Sequence, residues 1–435
     1  MRFDHEFPDV EQALVAARDF DAIEGVLQRL TRMVPALLVD GIRGWKLFSP
    51  RLDSALSSIP RRLGLTDVSL EKGQGNICIL ATRFYTTGGH SQVAADIVRL
   101  VGGERVTLIF TDIYRQLGYR MRIGSGASVA DRFPHRAMVM LSAPTLTEKI
   151  VELYAVLAAI KPSRIFLMGN HMDPVAIAGA WPFRDVVDYV HHADFMPALG
   201  SSLRFSTHAD LTYSCHLACR EAGLSPVYAA MTAPRSSGSP TARPPRGERL
   251  TIATCGGLHK YRRTSRFRWS EYVVAALTAT DGDFIHMGPI DETFTEEVST
   301  ALQAAGVDPE RYRFVGVVAD LQTALRDHGV DIYVSSYPEP GGRANLEAMM
   351  AGLPVIIPVE PEAGPLMVDR WPFAQATSVE SPAELETLLR DPEGLLARVT
   401  DDGARAHVET ERRRFEAYVA GSALESVGPN DRLPG

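Results

Sequence analysis

The feature that most constrains this chain is a repeated alternation of short, unbroken apolar runs with helix-length amphipathic ones. From residue 75 the runs read "NICILAT", "RVTLIFT", "RAMVML", "RIFLMG" and "VVDYVHH", with segments such as "SQVAADIVRL" and "TEKIVELYAVLAAI" between them. A strand with one wet face alternates apolar and polar residues. A strand that is apolar throughout is covered on both faces, and helices between such strands supply the cover. The expected fold class is therefore α/β, with Rossmann-like parallel sheets. The pattern occurs twice. It breaks at "PRSSGSPTARPPRGE", Pro234–Glu248, which has the composition of a linker, and restarts with "RLTIATC", "DFIHMG", "RYRFVG", "DIYVSS" and "LPVIIP".

These breaks predict five segments. Residues 1–72 form a helical N-terminal extension, in which "VEQALVAARDFDAIEGVLQRLTRMVPALL" carries apolar residues at three- and four-residue spacing. It is expected to be a packing appendage, or the element through which a homo-oligomer forms. Residues 73–233 form an N-terminal Rossmann-like domain, 234–248 the linker, 249–405 a C-terminal Rossmann-like domain, and 406–435 a returning helix and tail. A length of 435 residues with 45% hydrophobic content suits two domains. Open sheets of this kind bind ligands beyond the carboxyl ends of their strands, and two of them facing each other would share a cleft.

Composition narrows the function. A net charge of −8 excludes a general nucleic-acid binder, whose footprint is basic. No window of 18 uninterrupted apolar residues suggests a transmembrane segment. The N-terminal "MRFDHEFPDVEQ" lacks an apolar run, so no signal peptide is expected. Four scattered cysteines, Cys78, Cys215, Cys219 and Cys255, fit a cytoplasmic setting.

The stretch "SSYPEPGGRANLEAMMAGLPVIIPVE", Ser335–Glu360, places a loop after the strand "DIYVSS" and then a helix stopped by Gly352 and Pro354. Gly341 and Gly342 let a ligand approach the backbone. The N–H groups around Arg343 and Ala344 open the helix as an anion site suited to a diphosphate. From one turn further on, the Glu347 carboxylate can accept two hydrogen bonds from a vicinal diol such as ribose. Glu339, on the loop, is the candidate beside the sugar.

Two glutamates separated by seven residues and followed by "EAMMAGLPVI" resemble the signature of the retaining GT-B glycosyltransferases. The resemblance covers roughly residues 75–420. It implies that Glu347 binds the ribose of a nucleotide-sugar donor and that Glu339 lies by the donor sugar. It also implies that no metal or other cofactor is required, since cations and a helix N-terminus neutralise the leaving diphosphate.

Other positions are similar to those of the family. "ATRFYTTGGHSQVAADIVRL" sets Gly88 and Gly89 between the first strand and its helix, against donor phosphate and acceptor, with His90 following. "DYVHHADFMPALG" ends a strand in His191 and His192, where one histidine holds the donor sugar. Alternation lets only one face a cleft, and His192 is favoured. Asp194 would orient that imidazole or bind an acceptor hydroxyl. "TCGGLHKYRRTSRFR" packs Lys260, Arg262, Arg263, Arg266 and Arg268 into nine residues, with Lys260 and then Arg266 as candidates for the pyrophosphate. "HMGPI" and "FVGVVAD" fall where the family docks the nucleoside base.

In "GNHMDP", Asn170, His171 and Asp173 are suitable partners for acceptor hydroxyls, although Asp173 ahead of Pro174 equally suits a helix N-cap. Three further motifs carry blander readings. "DGD" at Asp281–Asp283 reads as a turn, and "GSGASVAD" from Gly124 is too short for a dinucleotide loop. In "CHLAC" the thiols of Cys215 and Cys219 share a helix face without a second ligand pair, which favours packing over metal binding.

The expected activity is transfer of a sugar, with retention, from a UDP- or GDP-sugar to a hydroxyl on a glycan, protein, metabolite or lipid. The competing readings are an inverting enzyme resembling the O-GlcNAc transferases that acts on a polypeptide, a sugar-nucleotide epimerase, and a non-catalytic sugar-nucleotide-binding partner protein.

Overall fold

The computed structural model describes residues 7–39, 49–73, 75–84, 89–114, 133–192, 198–232, 249–262, 265–359, 376–397 and 401–424. The predicted linker, Gly88 and Asp194 lie outside the described residues. The chain divides into two compact units. The first comprises Met1–Leu38, Trp45–Ala230 and Glu416–Val427, and the second Val39–Gly44, Met231–Phe415 and Gly428–Gly435.

The first unit holds a seven-stranded sheet of β1 (Ile77–Ala81), β2 (Val106–Phe110), β3 (Ala137–Met140), β4 (Arg164–Met168), β5 (Val187–His191), β6 (Thr207–Asp210) and β7 (Val227–Tyr228). Its order is β3-β2-β1-β4-β5-β6-β7, and every neighbouring pair is parallel. The second unit holds β8 (Thr251–Cys255), β9 (Asp283–Met287), β10 (Tyr312–Gly316), β11 (Ile332–Val334), β12 (Val355–Pro358) and β13 (Ala376–Val379). These strands are also all parallel, in the order β10-β9-β8-β11-β12-β13. The expected α/β class with two parallel sheets is therefore the one found. Strands β1, β2, β4 and β5 are buried at every position, as their unbroken apolar runs require. Among the described residues no helix is long and apolar enough to cross a membrane.

The helices Phe7–Ala16, Phe20–Val39 and Pro50–Arg62 extend the core of the first unit. Val10, Leu14, Leu27 and Leu56 share one buried cluster with Ile150, Leu153 and Ile165 from the sheet and its covering helices. Buried Asp53 accepts hydrogen bonds from Gly200 N (2.6 Å), Ser202 N (3.0 Å) and the Ser202 hydroxyl (2.6 Å), so the extension also fixes the loop after β5.

At the amino end of the first sheet, Arg164 opens β4 and donates from Nε to Asp188 Oδ2 (2.7 Å). Its terminal nitrogens reach the carbonyls of Val419 and Tyr418 at the end of the helix Asp401–Ala420. Lys72 Nζ takes the other Asp188 oxygen at 2.5 Å. Removing one partner from a buried ion pair leaves a charge with no compensation, which costs about 3–5 kcal/mol. Asp188→Ala is thus expected to destabilise the first unit by that amount. Hydrogen exchange at the β4 and β5 amides measures it, and unchanged protection contradicts it.

In the second unit a buried chain of hydrogen bonds sets the loop after β8. Trp269 Nε1 donates to the Tyr312 hydroxyl (3.0 Å). That hydroxyl lies 2.8 Å from His286 Nδ1, and His286 Nε2 donates to Gly256 O at 3.3 Å. Burial pushes the His286 imidazole down to about 4, and that of His407 likewise, against roughly 6.5 for an exposed histidine. In the interval between those values the unfolded chain binds protons that the folded chain does not. The stabilisation is therefore complete above about pH 6.5 and is lost as pH falls toward 4, by up to roughly 3 kcal/mol per group. The melting temperature of the second unit should drop between about pH 7 and 4.5, and His286→Gln should flatten that dependence. An unaltered slope in the variant would remove His286 as a cause.

Candidate functional site

In each sheet the strand order reverses once in its interior, between β1 and β4 in the first and between β8 and β11 in the second. The loops leaving two such strands go to opposite faces, which opens a crevice at their carboxyl ends. The candidate donor residues gather at the β8/β11 crevice. Gly256 and Gly257 follow β8 and lead into a turn of 3-10 helix, Leu258–Lys260. A Cβ on Gly256 would come within 2.9 Å of the Tyr261 hydroxyl, so this turn needs glycine.

From that turn Lys260 Nζ donates to Pro340 O (3.2 Å), and Lys260 O accepts from Glu339 N (3.4 Å). Lys260 and Glu339, distant in sequence, are thus adjacent. Glu339 is only 2% exposed. Gly341 N donates to Ser335 Oγ (3.2 Å), and a Cβ there would crowd Ala344 at 3.3 Å.

The helix Gly342–Met350 then begins with no side-chain cap. An uncapped helix start presents backbone N–H groups and the positive end of the helix dipole. Arg343 is buried and donates from Nε to Glu347 Oε1 (3.1 Å), which holds the half-buried Glu347 carboxylate in place. Arg266 is exposed, with its guanidinium 5.1 Å from the centre of the Phe267 ring. Arg262 pairs with Asp291 at 2.8 Å. Within the basic run, Lys260 is hydrogen-bonded to the loop that carries Glu339.

Two features of this end were not foreseen. Asn345 is fully buried, yet neither Oδ1 nor Nδ2 has a hydrogen-bond partner, whereas most buried polar groups find one. Its signal was an amide between two apolar helical neighbours, Ala344 and Leu346. In "HMGPI" the decisive residue is Gly288, which has φ +130° and N–H bonded to Gly316 O at 2.7 Å. A Cβ there would lie 2.2 Å from Gly256 O. Cys255, at the end of β8, is inert, since burial pushes its thiol up to about 12.

His90, Asn170 and His171, the candidate acceptor residues, and His192, the candidate beside the donor sugar, gather at the carboxyl ends of β1, β4 and β5. His90, in the first turn of the helix Gly89–Val101, has its ring centre 4.5 Å from that of His192, and His171 lies 5.3 Å from His192. His90 Nε2 donates to Met168 O (2.8 Å), and His192 Nδ1 donates to Val190 O (3.2 Å). Each ring therefore keeps its other nitrogen as an acceptor. Burial holds both imidazoles below the usual histidine range, and for His192 the neighbouring His90 and His171 act in the same direction.

Asn170 closes its own turn, accepting from Met172 N at 3.3 Å while its N–H bonds the Thr82 hydroxyl at 2.7 Å. Asp173 is the helix cap of the two readings open to it. It accepts from Ala176 N (2.9 Å) and from the hydroxyls of Thr82 and Thr111 (both 2.5 Å), which ties together the ends of β1, β2 and β4. "DGD" is a turn, as expected, with a Cβ on Gly282 reaching 1.6 Å from Leu250 O. Cys219 of "CHLAC" lies beside His191, His208 and Asp210, side chains that β5 and β6 bring to it and that nothing local to the helix announces.

No protein-family model matches the chain, and no characterised protein matches it by sequence. Solved structures do match. HepE from Anabaena, in complex with UDP and glucose, has a TM-score of 0.59 at 14% identity, covering 80% of this chain and 99% of HepE. The lipopolysaccharide outer core galactosyltransferase WaaB has a TM-score of 0.58 at 12% identity, covering 80% of this chain and 99% of WaaB. Sucrose-phosphate synthase from Thermosynechococcus elongatus has a TM-score of 0.57 at 14% identity, with coverage of 80% and 98%. These likenesses concern the fold, which in this chain is the GT-B fold of glycosyltransferases.

Proposed function

We propose that this chain is a glycosyltransferase that moves a sugar from a nucleoside-diphosphate sugar to a hydroxyl acceptor with retention at the anomeric carbon. The observation that carries the proposal is the convergence of Lys260, Glu339, the uncapped start of the Gly342 helix and Glu347 at the carboxyl ends of β8 and β11. An anion held at a helix start is stabilised by N–H groups and by the dipole. Gly341 and Gly342 would let a diphosphate reach those groups, with Glu347 accepting from the ribose hydroxyls and Glu339 beside the sugar. UDP-sugars are the first donors to test, because HepE is bound to UDP.

In the transfer the bond from the anomeric carbon to the diphosphate oxygen breaks, and a bond to the acceptor oxygen forms on the same face. The acceptor proton passes to the departing diphosphate. Negative charge grows on that diphosphate in the transition state, and a cation already in position, such as Lys260, stabilises it without reorganising. No metal ion is needed for this step. His90, Asn170 and His171 would bind acceptor hydroxyls, and His192 would hold the donor sugar.

Glu347→Ala should weaken UDP binding more than tenfold, equivalent to about 1.4 kcal/mol, as read by calorimetric titration. The melting temperature of the free variant shows whether it is folded, because Arg343 loses the hydrogen bond to Glu347. Wild-type affinity in a folded variant would exclude Glu347 from the donor site.

Proton NMR of the first product should show the donor's anomeric configuration preserved. The rate on desalted enzyme should not change when magnesium or manganese is added. An inverted product, or a rate that depends on added metal, would overturn the corresponding part of the mechanism.

A further inference from the structure

One group of side chains in the first unit takes no part in the proposed transfer. The β5–β6 register sets His191 opposite Asp210 and Tyr189 opposite His208. His208 and Asp210, two residues apart, project from the same face of β6. The helix Tyr213–Glu221 follows, and Cys215 and Cys219, four residues apart, share one of its faces. Strand pairing and helix docking together bring His191, His208, Asp210 and Cys219 to one point, with their ligand atoms all within 4.8 Å of one another.

The six separations describe a tetrahedron. His191 Nδ1 lies 3.3 Å from His208 Nε2, 2.8 Å from Asp210 Oδ1 and 3.5 Å from Cys219 Sγ. His208 Nε2 lies 3.1 Å from Asp210 Oδ1 and 3.8 Å from Cys219 Sγ, which is itself 3.7 Å from that oxygen. A tetrahedron with such edges has its centre about 2 Å from each corner, matching zinc bonds of about 2.0–2.2 Å to nitrogen and oxygen and about 2.3 Å to sulfur.

We propose that His191 Nδ1, His208 Nε2, Asp210 Oδ1 and Cys219 Sγ bind one divalent transition-metal ion of the zinc class. A borderline-soft donor set of two imidazoles, a thiolate and a carboxylate suits zinc and disfavours magnesium or calcium, which take oxygen. Charge balance points the same way. With an ion bound, the thiolate and the carboxylate beside two neutral imidazoles carry two negative charges, which a divalent cation offsets. Asp210 and Cys219 are fully buried, and Asp210 Oδ2 has no hydrogen bond.

Further groups stand behind the ligands. Cys215 Sγ lies against the His191 ring, 3.2 Å from Nδ1 and 3.6 Å from Nε2, and His216 Nδ1 lies 3.7 Å from Asp210 Oδ2. Four protein ligands close the coordination sphere, so the ion braces the structure and takes no part in the chemistry. It clamps the carboxyl ends of β5 and β6 to the helix that follows them. His192 is the next residue after a ligand, and His171, His191 and His192 line the same small pocket.

Elemental analysis of the purified full chain should find one zinc per molecule. After removal of that zinc, cobalt(II) should restore one equivalent and produce the intense thiolate-to-cobalt absorption together with tetrahedral d–d bands. Cys219→Ser should abolish the thiolate band, and His208→Asn should lower metal content at least tenfold. Should either variant fail to fold, the wild-type chain decides: prolonged chelation should lower its melting temperature, and added zinc should restore it. Cys215→Ser should retain the ion, and its loss there alone would overturn the assigned ligand set. A chain that purifies without metal, shows no cobalt spectrum on titration and melts identically with and without chelator would overturn the site and leave a cluster joined by hydrogen bonds.

Discussion

Parallel pairing is the constraint on which the rest of this structure depends. Because every strand in each sheet runs the same way, all carboxyl ends lie at one edge, and each connection must return to the other edge before the next strand begins. The loops that start those returns therefore collect at a single end. Reversal of strand order at β1/β4 and β8/β11 then parts neighbouring loops and leaves room between them. Lys260, Glu339 and Glu347 meet in the second unit for this reason, and His90, His171 and His192 in the first.

Sheets buried on both faces leave few places for polar side chains, and the polar residues that are buried tend to be joined to several partners. Asp173 accepts from the ends of two strands while capping a helix. His286 relays from Tyr312 to Gly256 and thereby holds the glycine turn that ends in Lys260. Asp53 does the same for the loop after β5. Each of these groups stands behind a candidate site without forming part of it, and each fixes backbone whose exposed side presents the chemistry. Asn345 departs from this pattern, buried with both amide atoms unsatisfied, and it lies within the helix that opens the candidate donor site.

Legibility in the sequence followed the range of the interactions. Strands such as "RVTLIFT" were readable because burial on two faces writes itself into consecutive residues. The Glu339–Glu347 helix was readable because its loop, start and stop span twenty residues of chain. Lys260 could be chosen only by its place after a strand, and Arg266, chosen on the same ground, is exposed above Phe267. The His191–His208–Asp210–Cys219 group was not readable. It depends on a register between β5 and β6 and on the docking of a helix, and two thiols four residues apart say nothing about what lies across from them. The N-terminal helices gave an amphipathic pattern but not their destination, which is the core of the first unit.

The bond network of Arg164 has a consequence for the order in which the chain matures during synthesis. Its guanidinium nitrogens find their acceptors in the carbonyls of Tyr418 and Val419, more than 250 residues downstream. The first sheet leaves the ribosome early, yet one of its buried cations lacks these acceptors until residues 418 and 419 have followed. The unit made first is thus completed last. A chain interrupted before residue 418 would hold an amino edge whose Arg164 lacks both of these carbonyl acceptors.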